Sequence, residues 1–279
     1  MRLATLRVSL ALLALSSGLA HGWIWSKDEP LSITEKCRLR LESARADIAR
    51  NKPSAARGTI DEMLSDCSGT GFLEEAQFLM AETYFLEKEW TEARGEYDSY
   101  VRFHPNTPFT ELAAYKKALS GYRAKWVMGR DQQSVNTALE DFGDFLELYP
   151  SSSKADSARY YVSLLNERRA EQDYYVANLY FRMEEYQAAA ITMRDFLNDH
   201  PASKRVPLAR ETLVESYVRL GQLDQAERMV ELFSRETAVP MDEKQAKRFA
   251  ERIETERIKQ QKRLAKEQKK QAAREKEGL

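Results

Sequence analysis

Glycine and proline are scarce in this chain, at 11 and 8 of 279 residues, whereas 31% of its positions are charged. Sheets need frequent tight turns, so the shortage favours long helices with wet outer faces. A hydrophobic content of 43% is ample for a core and excludes a disordered chain. Histidine occurs only three times, with no pair at metal-ligand spacing, and there is neither a phosphate-cradling glycine loop nor a Gly-x-Ser-x-Gly elbow. The sequence therefore predicts no enzyme, no cofactor and no metal site. A net charge of −1 argues against a whole-molecule field that would draw nucleic acid.

Long apolar runs are missing too, except near the start. Arg2 and Arg7 precede the run from Val8 to Leu15, and the small residues Ser16, Ser17, Gly18 and Ala20 follow. This layout predicts a secretory signal peptide over residues 1–22, cut after Ala20 or Gly22, and the run is shorter than a spanning helix needs. Residues 23–32 read as a linker. No cysteine follows the run closely, and Thr34, Glu35 and Lys36 before Cys37 do not suit lipid attachment, so a lipid anchor is not evident. Cys37 and Cys67 lie equally far from a turn expected at 51–53. They would meet at the open end of an antiparallel helix pair, either as a disulfide, in an oxidising compartment, or as two buried thiols.

A pattern recurs along the chain: an alanine, a larger side chain four residues on, and a proline about twelve residues after the alanine. Ala93, Tyr97 and Pro105 make one copy; Ala138, Phe142 and Pro150 a second; Ala189, Met193 and Pro201 a third. Ala226 and Val230, with a displaced Pro240, make a fourth, and Ala56 with Ile60 a degraded first copy. Ala81 with Tyr84 and Ala177 with Tyr180 supply the small and aromatic residues of a preceding helix. This is the grammar of tetratricopeptide helix pairs. Small residues let two antiparallel helices approach, aromatics fill the groove to the next pair, and proline stops the second helix. The fold class predicted is all-α: an α-solenoid of about five helix pairs over residues 33–240, with a charged helical tail over 241–279. His104 and His200, each before a proline, read as helix C-termini, with a catalytic or metal role as the other reading.

The alanines are 37, 45, 51 and 37 residues apart, more than the 34 of an ideal repeat. The stretch from Ser152 to Met183 holds neither glycine nor proline and reads as one extended helix. Gly129, Arg130, Asp131, Gln132 and Gln133 read as a surface loop.

Three stretches carry a resemblance to a known family: FLEEAQFLMAETYFLEKEWTEARGEYDSYVRFHP (Phe72–Pro105), NTPFTELAAYKKAL (Asn106–Leu119) and LLNERRAEQDYYVANLYFRMEEYQAAAITMRDFLNDHP (Leu164–Pro201), the last with the pair Tyr174–Tyr175. Between Phe72 and Arg235 the chain resembles the outer-membrane assembly factors of the BamD (YfiO or ComL) family. The resemblance implies a protein on the periplasmic face of the outer membrane, in the machinery that inserts β-barrel proteins. It implies C-terminal repeats that dock the POTRA modules of a BamA-like barrel protein. It also implies N-terminal repeats that accept unfolded outer-membrane proteins through an aromatic-ended strand. Family members are usually lipoproteins, and this sequence departs from them in lacking the lipid-accepting cysteine, so membrane association would be indirect.

Counting from the small residue of each first helix places Phe78, Phe85, Tyr115, Tyr122, Tyr174 and Phe181 on one face, with Glu82, Arg123, Asn178 and Arg182 beside them as polar selectors. Gathered in one groove, such rings offer large contact area to a peptide. If the helices twist, several of them instead pack between repeats as core. From Asp242 onward, 13 Lys and Arg stand against 8 Asp and Glu. This tail reads as an arm toward acidic protein or anionic lipid, or as a solvated extension in which Phe249, Ile253 and Ile258 make only a thin stripe. A different exported repeat adaptor, serving envelope growth, division or polysaccharide export, is the rival function. A solute binder would need a deep pocket that stacked helices lack.

Overall fold

A computed structural model describes residues 30–126, 132–235 and 240–276, and among these every regular element is helical. Eleven helices follow in order: α1 (Ile33–Ala49), α2 (Pro53–Asp66), α3 (Leu73–Glu87), α4 (Trp90–Phe103), α5 (Thr110–Arg123), α6 (Gln132–Leu148), α7 (Ala155–Arg182), α8 (Tyr186–Asp199), α9 (Val206–Arg219), α10 (Leu223–Arg235) and α11 (Glu243–Lys276). Each packs on the next, and first helices also touch across hairpins, α1 on α3, α5 on α7 and α7 on α9. That neighbour-only pattern defines a solenoid of five hairpins closed by α11. The signal peptide and most of the linker expected before residue 30 lie outside the described residues.

The repeat logic is visible at its smallest residues. Ala56, Ala93, Ala138, Ala189 and Ala226 are all fully buried, as are Ala81 and Ala177 on the facing helices. The larger partners Ile60, Tyr97, Phe142 and Met193 are fully buried as well. Pro105, Pro150 and Pro201 each stand two residues beyond the end of α4, α6 and α8, where a missing amide proton costs no helical bond.

Four hairpins reverse in one way. Asn51, Lys88, Glu184 and Gly221 hold φ between 57° and 70°, one after each of α1, α3, α7 and α9. Each amide bonds back three residues, and the following amide bonds back five: Lys88 to Phe85 and Glu89 to Tyr84, Glu184 to Phe181 and Glu185 to Tyr180. This is the Schellman closure, which satisfies orphan carbonyls and favours glycine at the left-handed position. Only the fifth hairpin supplies a glycine there. Between α5 and α6, residues 127–131 lie outside the described residues, and most of the expected surface loop lies there. Gln132 and Gln133, expected in that loop, belong to α6.

Cys37 and Cys67 are joined, with Cα atoms 5.9 Å apart, so both cysteines of the sequence are used. They sit in a fully buried cluster with Leu41, Ala44, Ile60 and Met63 that binds the open end of the first hairpin. The boundary expected at residue 240 needs correction. Phe249 and Ile253 of α11 are 4% and 3% exposed, packed with Phe233, Met241 and Val230 in the last core cluster. Arg248 and Arg252 pair with Glu211 and Glu215 of α9, and Arg257 with Asp224 and Glu227. The first half of α11 therefore occupies the place of a sixth first helix and covers the last hairpin, as a capping element must.

Candidate binding face

The first helices α3, α5, α7 and α9 stand side by side, and acid–base or amide contacts tie them at the period of the ideal repeat. Lys116 donates to both oxygens of Glu82 at 2.6 Å; Arg205 donates to Glu171 at 2.9 Å; Gln245 of α11 donates to Glu211 at 2.6 Å. Each pair is 34 residues apart in the sequence. Glu82 also accepts a short hydrogen bond from the Tyr97 hydroxyl. It is a strut between α3, α4 and α5 rather than the free selector expected.

The six rings expected on this face separate into two kinds. Phe78 and Tyr115 are 5% and 8% exposed. Phe78 lies 4.8 Å from Phe109 and packs edge-on to Tyr100, while Tyr115 packs on Phe145 and bonds through its hydroxyl to Ser157. Both are core between successive hairpins, the second of the two readings the sequence offered for these rings. Phe78 is covered by Tyr100 of its own hairpin and Phe109 of the next, and Tyr115 by Phe145 of its own hairpin and Ser157 of the next. Phe85, Tyr122, Tyr174 and Phe181 are half-buried.

A cation covers three of these four rings. Lys116 and Arg123 lie 4.7 and 5.2 Å from the centre of Phe85, and Arg123 is as close to Trp90. Arg168 lies 4.1 Å from Tyr122 and donates to its carbonyl at 2.9 Å. Arg205 lies 5.5 Å from Tyr174. In each case the ring comes from one first helix and the cation from the next hairpin, so the face alternates aromatic and cationic groups. Lys116, Arg168, Arg205, Trp90 and Trp126 were not singled out by the sequence; the 34-residue recurrence of Glu82–Lys116 and Glu171–Arg205 was the signal for two of them. Arg123 and Arg182 are exposed and Asn178 is half-buried. Phe181 opens into a cavity of about 360 Å³ shared with Glu211, Thr212, Glu215, Arg248 and Arg252, where α11 crosses α9.

Behind this face runs a charged lattice between α4, α5 and α6. Arg94 grips Asp141 with two nitrogens, at 2.7 and 3.1 Å, and Lys117 bridges Asp141 and Asp98 at 3.0 and 2.9 Å. Burial pushes Asp98 up, but the hydrogen bond from Lys117 and the fields of Lys117, Arg102 and Arg94 outweigh it and hold its carboxyl below the usual range. Burial likewise lowers Lys117, and its bonds to Asp98 and Asp141 more than restore it. The two histidines near helix ends have matching partners: His104, capping α4, bonds Gln77 of α3, and His200, capping α8, bonds Asp173 of α7 at 2.7 Å. Each ties the second helix of a hairpin to its first. Among the described residues no group of three or more His, Cys, Asp or Glu could hold a metal, and no helix is long and apolar enough to cross a membrane.

Stacked hairpins with a mixed aromatic and cationic face and shallow cavities define a helical-repeat solenoid. The family model YfiO, described as outer membrane lipoprotein, matches residues 41–232, and the chain belongs to that family. The outer membrane protein assembly factor BamD of Caulobacter vibrioides is 25% identical over 145 residues, covering 52% of this chain and 48% of that protein. BamD of Rickettsia prowazekii is 24% identical over 160 residues, 57% of this chain and 64% of its own. The chain thus spans about half to two thirds of the length of these curated relatives. Among solved structures, a thermophilic TPR protein from Thermus thermophilus aligns over 78% of this chain and 98% of its own, at 17% identity and a TM-score of 0.34. The solenoid assignment rests on the hairpins themselves.

Proposed function

We propose that this chain is a non-catalytic scaffold on the periplasmic side of the outer membrane, within the machinery that inserts β-barrel proteins. Its C-terminal repeats dock the POTRA domains of a BamA-like protein, and its N-terminal repeats hold unfolded outer-membrane proteins. Family membership supports the setting. The observation that carries the binding role is the row of half-buried rings Phe85, Tyr122 and Tyr174, each beside a cation from the next hairpin.

An aromatic-ended strand brings a ring and a terminal carboxylate together. The ring fits against half-buried aromatics, and the carboxylate fits beside Arg123, an exposed cation next to Phe85 and Trp90. A peptide carrying the C-terminal strand of a β-barrel protein should bind the folded chain, and Arg123→Ala should weaken it by about tenfold with helicity unchanged. Co-purification gives the second arm: recovery of a POTRA-bearing barrel protein supports the reading. Recovery of cell-wall or polysaccharide-export enzymes in its place, with no peptide binding, would favour the rival adaptor.

A further inference from the structure

The two halves of α11 differ in what surrounds their charges. Up to Arg257 the arginines are answered by the array, Arg248 by Glu211, Arg252 by Glu215 and Arg257 by Asp224 and Glu227, and Lys259 is answered by Glu256 at 2.8 Å. Beyond that point the helix leaves the array and every side chain through residue 274 is exposed. Lys262, Lys266, Lys269, Lys270 and Arg274 enter no ion pair with the described residues. At 3.6 residues per turn these five and Arg263 fall within an arc of about 140°, along a ridge about 18 Å long. Gln260, Gln261, Leu264, Gln268 and Gln271 take the other side, and Glu267 is the one acid on the flank.

We propose that this ridge lays the free half of α11 along an anionic bilayer surface. Three features of the ridge select that occupant. It runs along one side of a continuous helix and carries one sign of charge, which a plane of phosphate headgroups meets in any register. It holds no aromatic or large apolar side chain, so it lacks the buried core of a protein interface and the stacking platform of a single-strand binder. Its reverse face is amide-rich with a lone leucine, so the helix rests on the headgroups and does not sink into the acyl chains. The inference stands apart from the assembly role, because it uses only residues 259–274.

The full chain is floated with vesicles of phosphatidylcholine alone and of phosphatidylcholine with roughly one third phosphatidylglycerol, at low and high salt. It should bind the anionic vesicles at low salt only, because screening removes such contacts. The variant Lys262→Gln, Lys266→Gln, Lys269→Gln, Lys270→Gln keeps helix propensity, and each near-surface cation contributes on the order of fivefold. Its affinity should fall by more than a hundredfold while helicity and melting stay as in the parent. Binding of the parent to neutral vesicles as tightly as to anionic ones would overturn the proposal. So would unchanged binding of the variant, or capture of the parent by an acidic peptide or single-stranded DNA under conditions where anionic vesicles float without it.

Discussion

Single residues carry much of this architecture because the hairpins touch through the smallest side chains. Ala189 of α8 has no exposed surface, and Ala177 of α7, the helix on which α8 packs, is equally buried. Ala189→Leu should destabilise the chain by about 1–3 kcal/mol through overpacking, read by denaturant unfolding. The left-handed turn positions offer the opposite sign. Glu184, at φ 64°, does with a β-carbon what Gly221 does without one. Glu184→Gly should raise stability by up to about 1 kcal/mol, whereas a loss would mean that the side chain matters more than the backbone. The alanines were legible in the sequence because a size rule repeats along the chain. The left-handed turns were not, because Lys88 and Glu184 carry no glycine signal and only the closure hydrogen bonds reveal them. Asp98 sets a pH dependence of definite sign. Its folded value lies below the ordinary 3.8, so its stabilisation is present above 3.8 and lost as pH falls through the lower folded value. The advantage of the parent over Asp98→Asn should therefore be full at neutral pH and shrink toward zero in acid, followed by unfolding at a series of pH values.

At the scale of elements, length mismatch is what makes the array irregular. α7 runs 28 residues and its hairpin partner α8 runs 14, so α8 lies against only the C-terminal half of α7, where Tyr174 meets Phe196 and Phe181 meets Tyr186; the side of that half turned from α8 carries the exposed Tyr175, Val176, Leu179 and Tyr180. The sequence showed this long helix through its lack of breakers. It did not show which rings their neighbours would cover, and Phe78 and Tyr115 are core because Phe109 and Phe145 pack on them. The end of the array was misplaced by similar logic. Phe249 and Ile253 make a weak stripe on a charged helix, and only contact with Phe233 and Met241 reveals them as the lid of the last hairpin. Phe249→Ala with Ile253→Ala should loosen α10 and α11 before the rest, visible as faster amide exchange in those two helices with α3 and α4 unchanged. The first hairpin depends instead on its covalent clamp. Its disulfide closes a 30-residue separation, which the chain-entropy model values at about 3–4 kcal/mol. Reduction should make α1 and α2 exchange faster while the later hairpins keep their protection.

For the molecule as a whole, the account joins a family to a surface. Membership in the YfiO family covers residues 41–232. Within it the first helices present rings and cations in alternation, and the described residues hold no cluster suited to a metal. Such a face suits the polypeptide-binding role proposed above. The most direct measurement is depletion of the protein in its native cell while the amounts of folded β-barrel proteins in the outer membrane are followed. The account predicts that they fall together, with unfolded precursors accumulating in the periplasm and recovery on supply of the parent chain. Outer membranes that keep their full complement of folded barrels through depletion would contradict it.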